Sequence, residues 1–208
     1  SSNAEDGISL IQVAEGALNE THSILQRMNE LATQAANDTN TSTDRTAIKA
    51  EIDQLTSEIN RIQSTTQFNT QNLLDGKFTG KNLQVGSLKG QTIQISISNM
   101  NAKTLGVSGL AVDKNSTAGE SMSKIQAAID KVSTQRSNLG ALQNRLEHTI
   151  NNLDTTSENT SAAESRIRDT DMADEMVRYS KNNILSQAGN SMLAQANQQT
   201  QGVLSLLG

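Results

Sequence analysis

The sequence predicts a mainly α protein: an elongated, antiparallel bundle of long, coiled-coil-like helices, with a small β-hairpin region and a C-terminal helical arm. Apolar and small residues recur in heptad steps along three long segments, which is the pattern of helices that pack lengthwise. The 208 residues include no proline that would break a helix from within. Aromatic residues make up only 1%, too few for the large anchors of a compact globule.

The first helix is predicted over about residues 5–36. One narrow seam on a helix that spans roughly 40 Å requires a partner helix. Residues 2–4 read Ser-Asn-Ala and have two interpretations, a cloning remnant or native residues. The seam consists of Ile11, Ala14, Leu18, Thr21, Leu25, Met28, Ala32 and Ala35.

The second helix is predicted over about residues 44–65, with Ser42 or Thr43 as its N-terminal cap. The polar loop before it, residues 37–43, is short, so the first two helices are expected to be antiparallel neighbours. The seam of the second helix consists of Ile48, Ile52, Leu55, Ile59 and Ile62.

Period-two alternation replaces the heptads over about residues 75–112, which predicts a β-hairpin region with one buried face. Asp75-Gly76 marks a turn before it, and Gly86 and Gly90 bracket the hairpin loop. A short helical turn at 103–107 and a further short strand at 110–112 are also expected. The alternating apolar residues are Leu83, Val85, Ile93, Ile95 and Ile97.

The third long helix is predicted over about residues 118–154, beginning at a capping box, Thr117 to Glu120. Arg136 and Gln143 fall on its seam; we interpret them as long side chains that reach past the seam, the alternative being that they set the register between helices. Residues 155–161 are either a loop or part of one continuous helix. The predicted seam is Met122, Ile125, Ile129, Val132, Arg136, Leu139, Gln143, Leu146, Ile150 and Leu153.

The C-terminal arm contains no charged side chain after Lys181. Solvated helices usually carry mixed charges, so an uncharged amphipathic arm is expected to be buried against other copies or a carrier. The alternative is a frayed terminus, and both hold if the arm is disordered alone and orders on binding. Its apolar stripe consists of Ile184, Leu185, Ala188, Met192, Ala196, Val203, Leu206 and Leu207.

Composition argues against several functional classes. The net charge of −5 lacks the basic stripe that nucleic acid requires, and no run of about 18 apolar residues could cross a membrane. Cysteine is absent, and His22 and His148 have no partner at metal-ligand spacing. The carboxylates of residues 169–175 lack the pattern of a calcium loop. We therefore predict no catalytic, metal or cofactor residues, and no enzyme.

Several separated segments carry a family resemblance: 5–10, 25–34, 66–69, 72–76, 144–153, 162–176, 182–187 and 192–197. They resemble bacterial flagellins, the subunits that self-assemble into the flagellar filament. The resemblance implies a secreted, extracellular structural protein for motility. It assigns residues 1–168 to an outer-tube rod domain and residues 169–208 to a C-terminal inner-tube helical arm.

Two parts of the family pattern are not found among these residues: the N-terminal arm that pairs with the C-terminal arm, and the variable outer domains. The C-terminal arm is therefore expected to lack its helical mate, so residues 1–208 by themselves are not expected to form normal filaments. The alternative functional class is an interaction module, such as a sensor or adhesin coiled coil. Filament formation after addition of the family's N-terminal arm would distinguish the two.

The resemblance also implies two partners besides other flagellin subunits: Toll-like receptor 5 and an export chaperone. Arg27, Leu31 and Glu51 match the receptor-contacting motif, whereas Asn29 stands where many receptor-active members carry Arg. Arg27 and Leu31 lie four residues apart off the seam, and Leu31 is expected to be exposed. Without the resemblance, the sequence favours the alternative that Arg27 pairs with Glu30 and Leu31 widens the packed stripe. The chaperone is expected to bind the uncharged stripe of the C-terminal arm.

Overall fold

The structure, a computed structural model, describes residues 2–169 and 171–206, except the side chains of Val203, Leu204 and Leu206. It divides into two compact units, residues 1–156 and 157–208. The predicted boundary at residue 168 differs from this division and stays a prediction. The elements in chain order are α1 Ser2–Ala35, α2 Ser42–Thr65, β1 Gln67–Phe68, β2 Gln71–Asn72, β3 Lys81–Gln84, β4 Thr92–Ile95, α3 Ala102–Leu105, α4 Asn115–Arg168 and α5 Met172–Leu206.

Helices α1 and α2 pack as antiparallel neighbours, as predicted. The Arg27 guanidinium reaches Glu51, and Arg45 donates from Nε to the Ala35 carbonyl at 3.0 Å, so later residues of α1 meet earlier residues of α2. All of the predicted α1 seam is buried. On α2, Leu55 is half-buried and the rest of the predicted seam is buried.

The cap of α2 differs from the prediction, because Thr41 rather than Ser42 or Thr43 occupies it. The Thr41 backbone is extended, whereas Ser42 already lies in the helix. The Asp44 amide donates to Thr41 Oγ1 at 3.3 Å, and the Thr41 amide donates back to Asp44 Oδ2 at 2.8 Å. These two bonds form a capping box with an Asp at its third position. The Thr41 amide and hydroxyl hold the pKa of Asp44 below its ordinary value.

The predicted hairpin is present as β3 and β4, which pair antiparallel with Leu83 opposite Ile93. A second small pair, β1 and β2, was not predicted; its turn residues Asn69 and Thr70 have φ of 47° and 63°, as in a type I′ turn. The expected helical turn is α3, capped by Asn101. Residues 110–112 do not form the expected strand.

Helix α4 begins at Asn115, so the prediction that it begins at the capping box of Thr117 to Glu120 is wrong. Instead of capping α4 from within, Thr117 Oγ1 accepts from the Lys114 amide at 3.0 Å and donates to Asp113 Oδ1 at 2.9 Å. The helix also continues through residues 155–161 as one element, which settles the alternative left open by the sequence.

Four of the ten predicted residues of the α4 seam lie beside the seam rather than in it. Ser121, Ala128 and Gln135 are buried, whereas Met122, Ile129, Arg136 and Gln143 flank the seam and are half-buried. Polar residues occupy the seam because they bond to the backbone of the irregular segment that α4 covers. Ser121 Oγ donates to the Ala111 carbonyl at 2.7 Å, and Gln135 Nε2 donates to the Ser96 carbonyl at 3.2 Å.

The flanking Arg136 has a partner on α1. Its guanidinium lies 3.8 Å from Glu15 Oε1 of α1. At the beginning of α4, the Asn115 side chain donates to the Ala36 carbonyl, which follows α1. Early residues of α4 therefore meet late residues of α1, and the two helices are antiparallel. Gln143 donates to Glu147 Oε1 on its own helix at 2.9 Å.

Gly7 marks a close approach between α1 and the hairpin. A Cβ at this position would lie 2.4 Å from Leu83 Cδ2 and 3.2 Å from Leu146 Cδ1. A Cβ at Gly16, on the same helix, would have no neighbour within 4 Å. The two glycines are therefore a matched pair that differs only in packing.

We expect Gly16→Ala to raise the free energy of unfolding by about 1 kcal/mol, because alanine favours a helix over glycine. Gly7→Ala should give less than this or lower the stability, because Leu83 and Leu146 must move to admit the methyl group. Urea denaturation of both variants measures the difference. An equal gain from the two substitutions would contradict the close approach.

Candidate functional site

The first candidate surface is α5, whose beginning is set by Asp171. Its carboxylate accepts from the Ala173 amide at 2.9 Å and from the Asp174 amide at 3.4 Å, which satisfies amides of the first turn. The charged residues of α5 are confined to its first ten residues and end at Lys181. The remaining helix carries only apolar, small and amide or hydroxyl side chains.

The large apolar side chains of α5 are exposed to solvent. Every described residue of this helix is exposed except the half-buried Gly189. We name the exposed apolar side chains the α5 face. Contiguous exposed apolar surface marks an interaction site, and the members from Met176 to Leu185 lie together. The α5 face comprises Met172, Met176, Val177, Ile184, Leu185, Met192 and Leu193.

The structure places the predicted residues of the arm on this helix. Ile184, Leu185 and Met192 belong to the α5 face, and Ala188 and Ala196 are exposed beside it. The predicted side chains of Val203, Leu206 and Leu207 lie outside the described part of the chain. The predicted stripe does not include the exposed apolar residues before Lys181, which are Met172, Met176 and Val177. Their spacing of four to five residues indicates one helix, but the charged residues among them obscure the pattern.

The apolar surface is continuous across the last charged residues. Met176, Val177, Ile184 and Leu185 line one furrow together with Ser180 and the stem of Lys181. The aliphatic part of a lysine extends apolar surface while its ammonium group stays in water. The α5 face therefore begins at least two turns earlier than the absence of charge indicates.

The second candidate surface is centred on Arg27 and is named the Arg27 cluster: Arg27, Glu30 and Glu51. Arg27 donates from Nε to Glu51 Oε1 at 2.9 Å and from a terminal nitrogen to Glu30 Oε2 at 3.2 Å. The hydrogen bonds to Glu51 and then Glu30 raise the pKa of Arg27. The side chains of Arg27 and Glu51 are 50% and 45% exposed, so the cluster is accessible to a partner.

Leu31 does not join this surface, and the prediction that it is exposed is wrong. Its exposure is 2%, so it belongs to the core. The reason is that α1 contacts α2 on one side and α4 on another, which buries a wider stripe than one seam. A second row at seven-residue steps runs beside the seam: Leu10, Ala17, Ile24 and Leu31, each buried or half-buried.

The histidines and the carboxylates of residues 169–175, weighed above as metal ligands, do not come together in the part of the chain that the structure describes. Among residues 2–169 and 171–206, no three histidine, aspartate or glutamate side chains gather into a group that could hold a metal ion. Arg168 pairs with Glu164 at 3.1 Å rather than with the carboxylates that follow it. Within the described chain, no helix is both long and apolar enough to cross a membrane.

Comparisons with known proteins identify the family. Residues 1–79 match the model of the bacterial flagellin N-terminal helical region, and residues 122–207 match that of the C-terminal helical region. The chain is also 53% identical over 209 residues to a flagellin of Halalkalibacterium halodurans, covering 100% of this chain and 77% of that protein. The chain belongs to the bacterial flagellin family.

Other flagellins agree with this assignment. The flagellin of Bacillus subtilis is 48% identical over 242 residues, covering 100% of this chain and 79% of that protein. The flagellar filament 33 kDa core protein of Treponema phagedenis is 47% identical over 223 residues, with coverages of 100% and 78%. The crystal structure of Bacillus cereus flagellin has a TM-score of 0.65 and 33% identity over 77% of this chain and 93% of that one.

The family defines the general role of the chain. It is a structural protein and not an enzyme: a subunit that assembles with copies of itself into the extracellular flagellar filament, which serves motility. The predicted family, fold class and structural role are confirmed. The alternative, a sensor or adhesin coiled coil, is thereby set aside.

The burial of Leu31 has a measurable consequence for stability. Leu31→Ala should lower the free energy of unfolding by about 2–5 kcal/mol, because it leaves a cavity in the core. The matched control is Val13→Ala on the same helix, where the side chain is 41% exposed and the change should be small. Thermal and urea denaturation test both. Equal stability of the two variants would indicate that Leu31 is a surface residue.

Proposed function

We propose that α5 is the element through which this flagellin subunit contacts other copies in the filament and, before export, an export chaperone. The observation that carries the proposal is the α5 face, an exposed apolar surface followed by a helix without charge. Residues 169–208 are accordingly the inner-tube arm, and residues 1–168 the outer-tube rod domain. The first compact unit, residues 1–156, supports this proposal because it buries its own core, whereas α5 leaves its apolar side chains in water.

The chemistry of α5 favours helix-to-helix or helix-in-groove contact. Burying a leucine- or methionine-sized side chain contributes about 1.5–3 kcal/mol, and removing the part of α5 after Lys181 from water carries no cost of desolvating ions. Val177 and Ile184 lie seven residues apart, as do Leu185 and Met192, and helices with apolar residues at such spacing occupy apolar grooves. The same face therefore suits both other copies of the chain and a chaperone groove.

Sharing one face makes the two partners exclusive. A chaperone that covers Ile184 and Leu185 prevents those side chains from packing against another subunit. The chaperone thus holds the chain unassembled until it is released. Deletion of residues 180–208 should abolish both chaperone binding and assembly, since both use the same side chains.

We also propose that the Arg27 cluster is the surface recognised by Toll-like receptor 5. Exposed arginine is enriched among residues that dominate protein interfaces. Glu51 and Glu30 hold the guanidinium in place before binding, which reduces the entropy lost on docking. Leu31 is buried and does not contact the receptor in this proposal. It packs in the core and supports the turn of α1 that carries Arg27. Asn29, in place of arginine, offers one charge fewer to the receptor.

The assembly surface is tested by placing one negative charge at two positions of α5. Ile184→Glu should abolish filaments and chaperone binding, because a carboxylate cannot be buried in an apolar contact without a partner. Gln187→Glu adds the same charge at an exposed polar position on the same turn and should retain both. Electron microscopy of cells that express each full-length variant, with chaperone pull-down, is the measurement. Normal filaments from Ile184→Glu would exclude this face.

The receptor surface is tested by removing Arg27. Arg27→Ala should raise the concentration needed for half-maximal receptor signalling about tenfold, the size of a loss of 1.4 kcal/mol. Arg61→Ala is the control, because Arg61 is 61% exposed and pairs only within α2, with Glu58. A reporter-cell assay measures both variants. Identical potency of Arg27→Ala and the parent chain would refute the assignment.

A further inference from the structure

The methionines of the chain fall into two groups with different surroundings. Met28 and Met100 are 0% and 5% exposed, and Met122 is half-buried against the core. By contrast, Met172, Met176 and Met192 are 69%, 64% and 68% exposed. All three exposed methionines lie on α5, and Met176 lines the apolar furrow described above.

The composition makes these sulfur atoms the main targets for an oxidant. The chain has six methionines and no cysteine, so no thiolate competes for a peroxide. The susceptibility of a thioether to oxidation follows its exposure to solvent. A peroxide added to the free subunit should therefore react first at residues 172, 176 and 192, and slowly at the methionines of the core.

We propose that Met172, Met176 and Met192 are oxidation sites at which sulfoxide formation blocks the assembly contact of α5. The inference rests on the proposed role of α5 in assembly. In the reaction, hydrogen peroxide transfers one oxygen atom to the thioether sulfur and leaves as water. The sulfur is oxidised by two electrons, and the O–O bond of the peroxide is reduced. The product is reversible, because methionine sulfoxide reductases restore the thioether.

The physical effect on the contact follows from polarity. A thioether packs as a flexible apolar side chain, whereas a sulfoxide carries a strong hydrogen-bond acceptor. Burying that oxygen against apolar side chains such as Val177, Ile184 and Leu185 costs free energy, because the oxygen gives up its hydrogen bonds to water. Once α5 is covered by other copies, the same sulfurs are shielded. The free subunit is thus the vulnerable form, and the filament is protected.

The first experiment measures the sites. The full-length subunit is treated with graded hydrogen peroxide, and peptide mass spectrometry follows each methionine. Residues 172, 176 and 192 should oxidise about tenfold or more faster than residues 28 and 100, as their exposure requires. Equal rates at all six methionines would overturn the assignment.

The second experiment measures the consequence. Oxidised parent subunits should elongate filaments at no more than about a tenth of the untreated rate, and treatment with sulfoxide reductase should restore elongation. The variant with Met172→Leu, Met176→Leu and Met192→Leu should assemble normally and remain competent after peroxide. Met122→Leu is the matched control and should stay sensitive.

The outcomes separate this inference from the role on which it rests. Normal assembly of Ile184→Glu would contradict the role of α5 itself. If Ile184→Glu fails to assemble but oxidised parent subunits elongate at the untreated rate, only the methionine inference is wrong. The inference is also overturned if the triple leucine variant loses assembly after peroxide as fully as the parent does.

Discussion

The structure depends on the burial of α1 against two neighbours at once. Its seam and the second row that ends at Leu31 together form one wide buried stripe. Along this helix Gly7 approaches the hairpin and α4, and Arg27 bonds to Glu51 of α2. The ion pairs that join the helices at their margins, such as Arg136 with Glu15, are partly exposed and add little. Removing apolar area from water therefore supplies most of the stability of unit 1, and hydrogen bonds select the register.

Polar seam residues show how that register is chosen. Ser121 and Gln135 lie where apolar residues would normally be, yet each bonds to backbone groups of the irregular segment between the hairpin and α4. A buried carbonyl without a donor costs more than the lost apolar contact, so these two positions align α4 with the segment it covers. Arg45 has a comparable role at the end of α1, donating to the carbonyls of Ala35 and Asn37.

The sequence predicts the long helices and the hairpin well because periodicity reports which faces are buried. The prediction fails where a residue occupies its position because it bonds to, or packs against, another segment of the chain. Met122 and Ile129 were placed in the α4 seam because an apolar pattern cannot distinguish them from their neighbours, Ser121 and Ala128. Leu31 was placed on the surface because one heptad describes a helix with one partner. The assembly arm was predicted from its missing charges, whereas Met176 and Val177 were hidden among charged residues.

Because α5 is exposed, the stability of the fold and the proposed binding role of α5 belong to different parts of the chain. A solvent-exposed helix such as α5 is held by its own hydrogen bonds and propensities, whereas most helical stability in proteins comes from tertiary packing. The folding free energy therefore resides almost entirely before residue 157, where the core lies. A substitution at an exposed position of α5 therefore changes the stability of the fold little, whereas a methyl group added at Gly7 of α1 would meet both the hairpin and α4. The fold thus constrains the sequence of α5 less than that of α1.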